Sequence, residues 1–346
     1  MTQHDTTRRD SASGAEAEAA ARPPSRRAEL VAVLFRFQSV LGLVAVFIAA
    51  VAFSPRRGVE ILFLTSDNLF NVVRSIAEIG IIAVGMTFVI LIGGIDLSVG
   101  AVLGLAAVGS AVLMVENGLG VLPAVLIVVL IGLVFGLLQG TAAAKLRIQP
   151  FIVTLAGLQV ARGLARIWSG GQGVAIAYGN GPGEAPVAFS LLGERTFGGL
   201  VPIPALIFVV VAAAAIVFLR ISVFARHLYA VGGNEKAARL SGVPVNRVKI
   251  IVFGICGALA ALAGIVHAGQ LNQGSPNDGS GYELDAIAAV VIGGTSLAGG
   301  RGSVVGTVTG ALLLGVLNNI DINVQLLIKG LVIVAAAGLQ RLRPAL

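Results

Sequence analysis

Asp96 lies in the segment Gly93-Gly94-Ile95-Asp96-Leu97-Ser98-Val99-Gly100, a polar turn between two apolar runs. A carboxylate there has two readings. At the start of the following helix it accepts backbone N–H bonds and suits the positive helix end. As an ionisable group among apolar runs it could instead lie on the path of a solute, and Ser98 shares both readings. Arg74 and Glu78 are four residues apart, so they are expected to share a helical face and neutralise each other, contact with a ligand being the other reading. Asp67 and Asn68, just upstream, read as caps of that helix. Gln325 sits one turn before Lys329 in the last apolar run, and this lysine either snorkels to the surface or faces a polar interior. Arg162, Arg166 and Trp168 read as interface anchors.

None of these groups forms a recognisable catalytic set. The sequence contains no G-x-x-x-x-G-K-[ST], no H-E-x-x-H and no G-x-S-x-G, and its histidines are His4, His227 and His267. The expectation is therefore a chain that is not an enzyme, has no nucleotide loop of its own and holds no metal or cofactor. Cys256, the one cysteine, lies inside an apolar run and reads as a buried structural thiol.

The elements that must position these residues follow from composition. Over 346 residues, 56% are hydrophobic and 12% charged, which suits lipid rather than water as the main solvent. Apolar runs at 38–54, 69–92, 97–115, 121–144, 150–168, 202–219, 250–269, 284–298, 304–320 and 323–340 predict an all-α polytopic membrane protein with about ten transmembrane helices. The first run is expected to be a retained helix, although Ala50-Val51-Ala52 resembles a cleavage site. Residues 1–36, rich in Ala, Arg, Ser and Glu, read as a cytoplasmic disordered tail, and 37–343 as the membrane domain with a cytoplasmic segment at about 220–249. Lys145, Arg147, the cations between Arg220 and Lys249, Arg301, Arg341 and Arg343 then all fall on one side, so both termini are expected in the cytoplasm. Arg56 and Arg57 are the exceptions. The net charge of +7 is thus spent on topology, and no nucleic-acid partner is expected.

Two patterns concern packing. Gly132, Gly136 and Gly140 recur every four residues, as do Gly302, Gly306 and Gly310, and each set is expected to line one helical face. Ile92-Gly93-Gly94 with Leu97 and Gly100 is echoed by Ile292-Gly293-Gly294 with Leu297 and Gly300, a weak sign of a duplicated architecture.

The cytoplasmic segment Tyr229 to Pro244 reads as one short helix. Asn234 caps it, Glu235 suits its positive end, Ser241 and Gly242 close it, Pro244 stops it, and Gly232 and Gly233 free the entry. Ala237, Ala238 and Leu240 are expected to face the cytosol. One reading is a solvated connector; the other is a docking site for a partner.

From about Thr65 to Arg341 the chain resembles the ribose, xylose and galactoside type of ATP-binding cassette importer permease. The strings that carry the resemblance are Asn68-Leu69, Ala83-Val84-Gly85-Met86-Thr87, the Asp96 segment, Thr154-Leu155-Ala156-Gly157 with Arg162-Gly163-Leu164-Ala165, Gly232 through Gly242, and Gly293 through Gly302. The resemblance implies a bacterial inner-membrane subunit that imports a small polar solute, such as ribose or xylose. It implies a cytosolic ATPase that binds ATP-Mg, a periplasmic sugar-binding protein, and a second copy of the permease or a paralogous one, all within membrane lipid. Gly232, Gly233, Asn234, Glu235, Ala238, Leu240, Ser241 and Gly242 are then the coupling loop. An ion-coupled carrier, using Asp96, Glu78, Asp285 or Lys329, is the alternative.

The charge pattern predicts that single cysteines at Gln172 or Glu194 react with an impermeant thiol reagent from the periplasm while Cys256 stays inert. Labelling of both sites only from the cytosol would reverse the topology.

Overall fold

The computed structural model describes residues 38–319 except 55, 58, 59 and 197–200, together with 330, 331, 334 and 338. The tail at 1–36 and nearly all of the expected last span, Gln325 and Lys329 included, lie outside the described residues. The helices are α1 (Gln38–Ala52), α2 (Ser66–Leu91), α3 (Val99–Ala111), α4 (Val121–Lys145), α5 (Pro150–Trp168), α6 (Ile203–Ile221), α7 (Val223–Gly233), α8 (Glu235–Leu240), α9 (Val245–Leu271), α10 (Tyr282–Ile292) and α11 (Val304–Leu317). Val112–Glu116 continues α3 as a π-helical turn. The strands are two-residue pairs in the connections, such as Val174–Ala175 with Gln273–Gly274.

Six of these helices are long and apolar enough to cross a membrane: α2, α3 with its continuation, α4, α5, α6 and α9. The protein is therefore an all-α polytopic membrane protein, as expected. The span expected at 284–298 is different. Its helix, α10, has 11 residues, about 16 Å of rise, against a hydrocarbon core of about 30 Å. The helix stops because Gly294 takes φ +89°, and the chain then turns through Gly299 and Gly300, also at positive φ, before α11 starts. The packing around this turn is tight: Gly293 abuts Gly306 across the α10–α11 hairpin. Irregular backbone is tolerated at such depth where protein surrounds it.

Helix α9 is the axis of the bundle and packs against α4, α3 and α2, while α3 is buried along its whole length. The peripheral helices are inverted relative to those of a water-soluble protein. The buried stripe of α4 is Ala124, Val128, Gly132, Gly136, Gln139, Gly140, Ala143 and Ala144, whereas Leu122, Leu126, Leu130 and Leu138 are exposed. The buried stripe of α5 is Thr154, Gly157, Ala161 and Ala165. Lipid solvates large apolar side chains as well as the interior does, so small residues face inward to allow close approach. At Gly132 and Gly136 the backbone of α4 lies directly against that of α9 at Gly257 and Phe253. The second glycine series needs correction: Gly306 and Gly310 pack on Gly293 and Ala289, but Gly302 precedes α11 and faces Thr295.

Any side chain at Gly136 meets the carbonyl of Phe253. Gly136→Val should therefore cost at least about 3 kcal/mol through overpacking. Gly163, in α5, has open space around it, and Gly163→Ala should be neutral or stabilising by about 0.5–1 kcal/mol. Thermal unfolding of the two variants in detergent checks the contrast.

Candidate functional site

Three polar constructions stand out in this apolar bundle. The first is the segment expected as a cytoplasmic loop, which consists of α7, α8 and the first turns of α9. Helix α8 starts as its sequence suggests, with Asn234 Oδ1 accepting the Ala237 N–H at 3.0 Å. It ends at Ser241, after which Gly242 takes φ +81°. Glu235 accepts from Lys249 Nζ at 2.8 Å and from Arg239 at 3.2 Å, bracing α8 against α9. Burial alone would raise the Glu235 carboxyl, but its bonds and attraction to Lys249 and Arg239 outweigh that and hold it below the usual range.

Two expectations for this segment are corrected. Ala238 is buried, whereas Ala237 is exposed and Leu240 is 90% exposed. At 100° per residue, Leu240 lies on the opposite side of the helix from Ala238, so one face packs on the bundle and the other is free. Gly232 and Gly233 do not loosen the entry, because they are the last residues of α7. Gly232 is pressed against the carbonyl of Leu91 and the amide of Gly300, leaving no room for a side chain. Gly300 N–H also donates to Leu91 O at 2.9 Å, and Tyr229 OH donates to Gly302 O at 3.0 Å. The end of α7 is thus seated on both echoed turns, the one after α2 and the one after α10. The echo is inexact in geometry: positive φ falls on Gly93 in the first turn and on Gly294 in the second.

The second construction is the Asp96 turn. Asp96 and Ser98 are each 1% exposed. Asp96 Oδ1 accepts the Ser98 N–H at 2.9 Å and the Ser98 hydroxyl at 2.7 Å, just ahead of α3. Gln139 of α4, also buried, donates to Ser98 Oγ at 2.9 Å. Thr154 of α5 reaches Ile95 O at 3.2 Å. The turn therefore fastens α3 to α4 and α5, and Gly157 makes room for the Gln139 amide.

The third is a cluster around Glu78, at the other end of the bundle. Arg74 and Glu78 do not pair directly. Arg74 donates from Nε to Gln270 Oε1 at 2.8 Å, and Gln270 Nε2 donates to Glu78 Oε1 at 2.9 Å. The other Glu78 oxygen lies 2.7 Å from His267 Nδ1 and accepts from Tyr282 OH at 3.3 Å. His267 Nε2 is 3.6 Å from Asp278, too long for a hydrogen bond. Arg162, expected as an interface anchor, instead clamps the connection between α9 and α10, donating to Pro276 O at 2.7 Å and Asp278 O at 2.6 Å. Trp168 packs inward beside Gly109. The cap of α2 is Thr65, which accepts from Asn68 N–H at 3.4 Å, while Asp67 pairs with Arg195 at 3.0 Å. His267, Gln270, Asp278 and Tyr282 escaped the sequence reading. The available signal was His267 and Gln270 three residues apart, one turn of the same apolar helix.

Comparison with known proteins bears on all three. The family model described as branched-chain amino acid transport system / permease component matches residues 68–337. The ribose import permease protein RbsC of Escherichia coli (strain K12) is 41% identical over 319 residues, covering 90% of this chain and 95% of its own. RbsC of Bacillus subtilis (strain 168) is 41% identical over 292 residues, 82% of this chain and 87% of its own. The xylose transport system permease protein XylH of Haemophilus influenzae (strain ATCC 51907 / DSM 11121 / KW20 / Rd) is 34% identical over 309 residues, 74% of this chain and 82% of its own. No solved structure matches the chain at a significant level.

The geometry at Asp96 separates cap from charge. Asp96→Asn keeps an oxygen for Ser98 and should retain most uptake. Asp96→Leu strands the buried Ser98 N–H, at about 1–3 kcal/mol, and leaves the Ser98 hydroxyl only Gln139 Oε1 at 3.2 Å, so it should lower the amount of folded protein. If Asp96→Asn abolished uptake at a normal protein level, the charge itself would be required.

Proposed function

Because the chain belongs to the family described as branched-chain amino acid transport system / permease component, we propose that it is the membrane-spanning permease subunit of an ATP-binding cassette importer for a monosaccharide. The observation that carries this reading is the 41% identity to a ribose import permease over 90% of the chain. Ribose is the first sugar to test, since the xylose permeases are 34% and 32% identical. The family description names branched-chain amino acids, but ribose and xylose permeases match this chain over 74–90% of its length.

In this reading ATP and Mg²⁺ bind a cytosolic ATPase, and a periplasmic binding protein delivers the sugar. A second copy of the permease or a paralogous one completes the path. The chain lies in the bacterial inner membrane with both termini in the cytoplasm. Energy then has to arrive by protein contact, and α8 is suited to receive it. Leu240 is 90% exposed on a helix whose opposite face is fixed to the bundle. A push on α8 passes through the Glu235–Lys249 brace to α9, and through Gly232 to the turns after α2 and α10. The ion-coupled alternative has less support. Glu78 already meets Gln270, His267 and Tyr282, and Asp96 is engaged by Ser98, so neither carboxylate is free to take up and release an ion cheaply.

Leu240→Asp should release the ATPase, or reduce sugar uptake at least about tenfold, because a charge left unpaired in such a contact costs about 2–5 kcal/mol. The permease itself should remain inserted at normal levels, since Leu240 makes little contact with it. Co-purification of the ATPase and uptake in vesicles measure both effects. Full uptake with normal ATPase association would reduce α8 to a connector.

A further inference from the structure

A cleft of about 580 Å³ opens at the α8 end of the bundle, a volume within the range of small-molecule sites. One wall is the turn between α4 and α5, with Lys145, Arg147, Gln149 and Pro150; the other is α8 and the start of α9, with Glu235, Arg239, Asn246 and Lys249. Four cations therefore face one carboxylate. That carboxylate is already engaged, because Glu235 accepts from both Lys249 and Arg239. Lys145 and Arg147 have no acidic partner among the described residues. The walls combine positive charge with hydrogen-bond donors from Gln149 and Asn246, which is the chemistry that a phosphate group satisfies.

The surroundings indicate where that phosphate comes from. The same turn exposes Leu146 (68%), Ile148 (39%), Phe151 (44%) and Ile152 (54%), and the outer face of α4 continues the apolar surface at Leu138 (64%). A free phosphate has no use for an apolar wall, whereas a lipid needs both surfaces, a cationic one for its headgroup and an apolar one for its chains. We infer that this cleft binds the phosphate headgroup of an anionic phospholipid, whose chains lie along α4 and α5. A lipid held there joins the α4–α5 turn to the brace between α8 and α9, and so stiffens the platform that carries Leu240. The inference rests on the membrane-spanning fold and not on the ATPase.

The test uses the full-length chain in nanodiscs of phosphatidylglycerol mixed with phosphatidylcholine. Lipids retained after graded delipidation are counted by native mass spectrometry, and thermal unfolding is followed in parallel. Phosphatidylglycerol should remain after phosphatidylcholine has been stripped. Lys145→Gln combined with Arg147→Asn should weaken its retention about 30-fold, as expected for two cations near a headgroup. Arg147 has φ +56°, a conformation that Asn tolerates, so this variant should still fold. Arg220→Gln combined with Arg226→Gln removes the same charge at the same end of the bundle but outside the cleft, and should retain the lipid. Equal loss in both double variants would reduce the effect to general surface charge and overturn the site. Inorganic phosphate added to pure phosphatidylcholine discs distinguishes the sources. If it reproduced the full thermal shift of phosphatidylglycerol, the lipid would be the wrong ligand.

Discussion

A helix surrounded by lipid gains nothing by turning its leucines inward, so the bundle is held by how closely its backbones approach. The α4–α9 seam depends on this most. Gly132 and Gly136 bring main chain against main chain at Gly257 and Phe253, and dispersion over that contact replaces the hydrophobic effect that would assemble the same helices in water. Helix α9 makes a second contact of this kind with α3, where Gly264 lies against Leu103. Close seams leave little free volume, and polar groups inside them have to find partners at short range. That is why the Asp96 turn and the Leu91–Gly300 contact are closed by short hydrogen bonds, and why the Glu78 cluster, apart from the unpartnered His267 Nε2, is closed in the same way.

The two irregular breaks, at 92–98 and 293–303, also come together at one point. Backbone that leaves the helical ladder inside a membrane has to bond elsewhere. Leu91 O satisfies Gly300 N–H, so each break supplies what the other lacks. Gly232 then fits against the junction because it has no side chain. A segment that is peripheral in sequence thus touches the least regular part of the interior.

The long helices could be read from the sequence almost to their ends. Helix α5 was expected at 150–168 and occupies those residues, because Pro150 suits the first helical position and the apolar run stops at Trp168. Helix α10 was overextended because Gly293 to Ala298 are apolar or small, and composition does not register a change of φ at Gly294. Spacing along one helix suggested an Arg74–Glu78 pair, but the preferred partner, Gln270, is nearly two hundred residues away. The outward face of α8 was misassigned at Ala238 because the sequence does not say on which side a six-residue helix meets α9. Boundaries are local properties of the chain, whereas partners depend on tertiary placement.

The division of labour within residues 232–240 has a practical meaning for engineering. Gly232 contacts backbone only, and Glu235 and Ala238 face their own bundle, whereas Lys236, Ala237 and Leu240 are turned outward. The letters a partner can read are therefore distinct from those that grip the interior. Such a segment is modular in the way a socket is: the exposed residues can be rewritten to suit a different partner while the seating, and whatever it moves, stays the same.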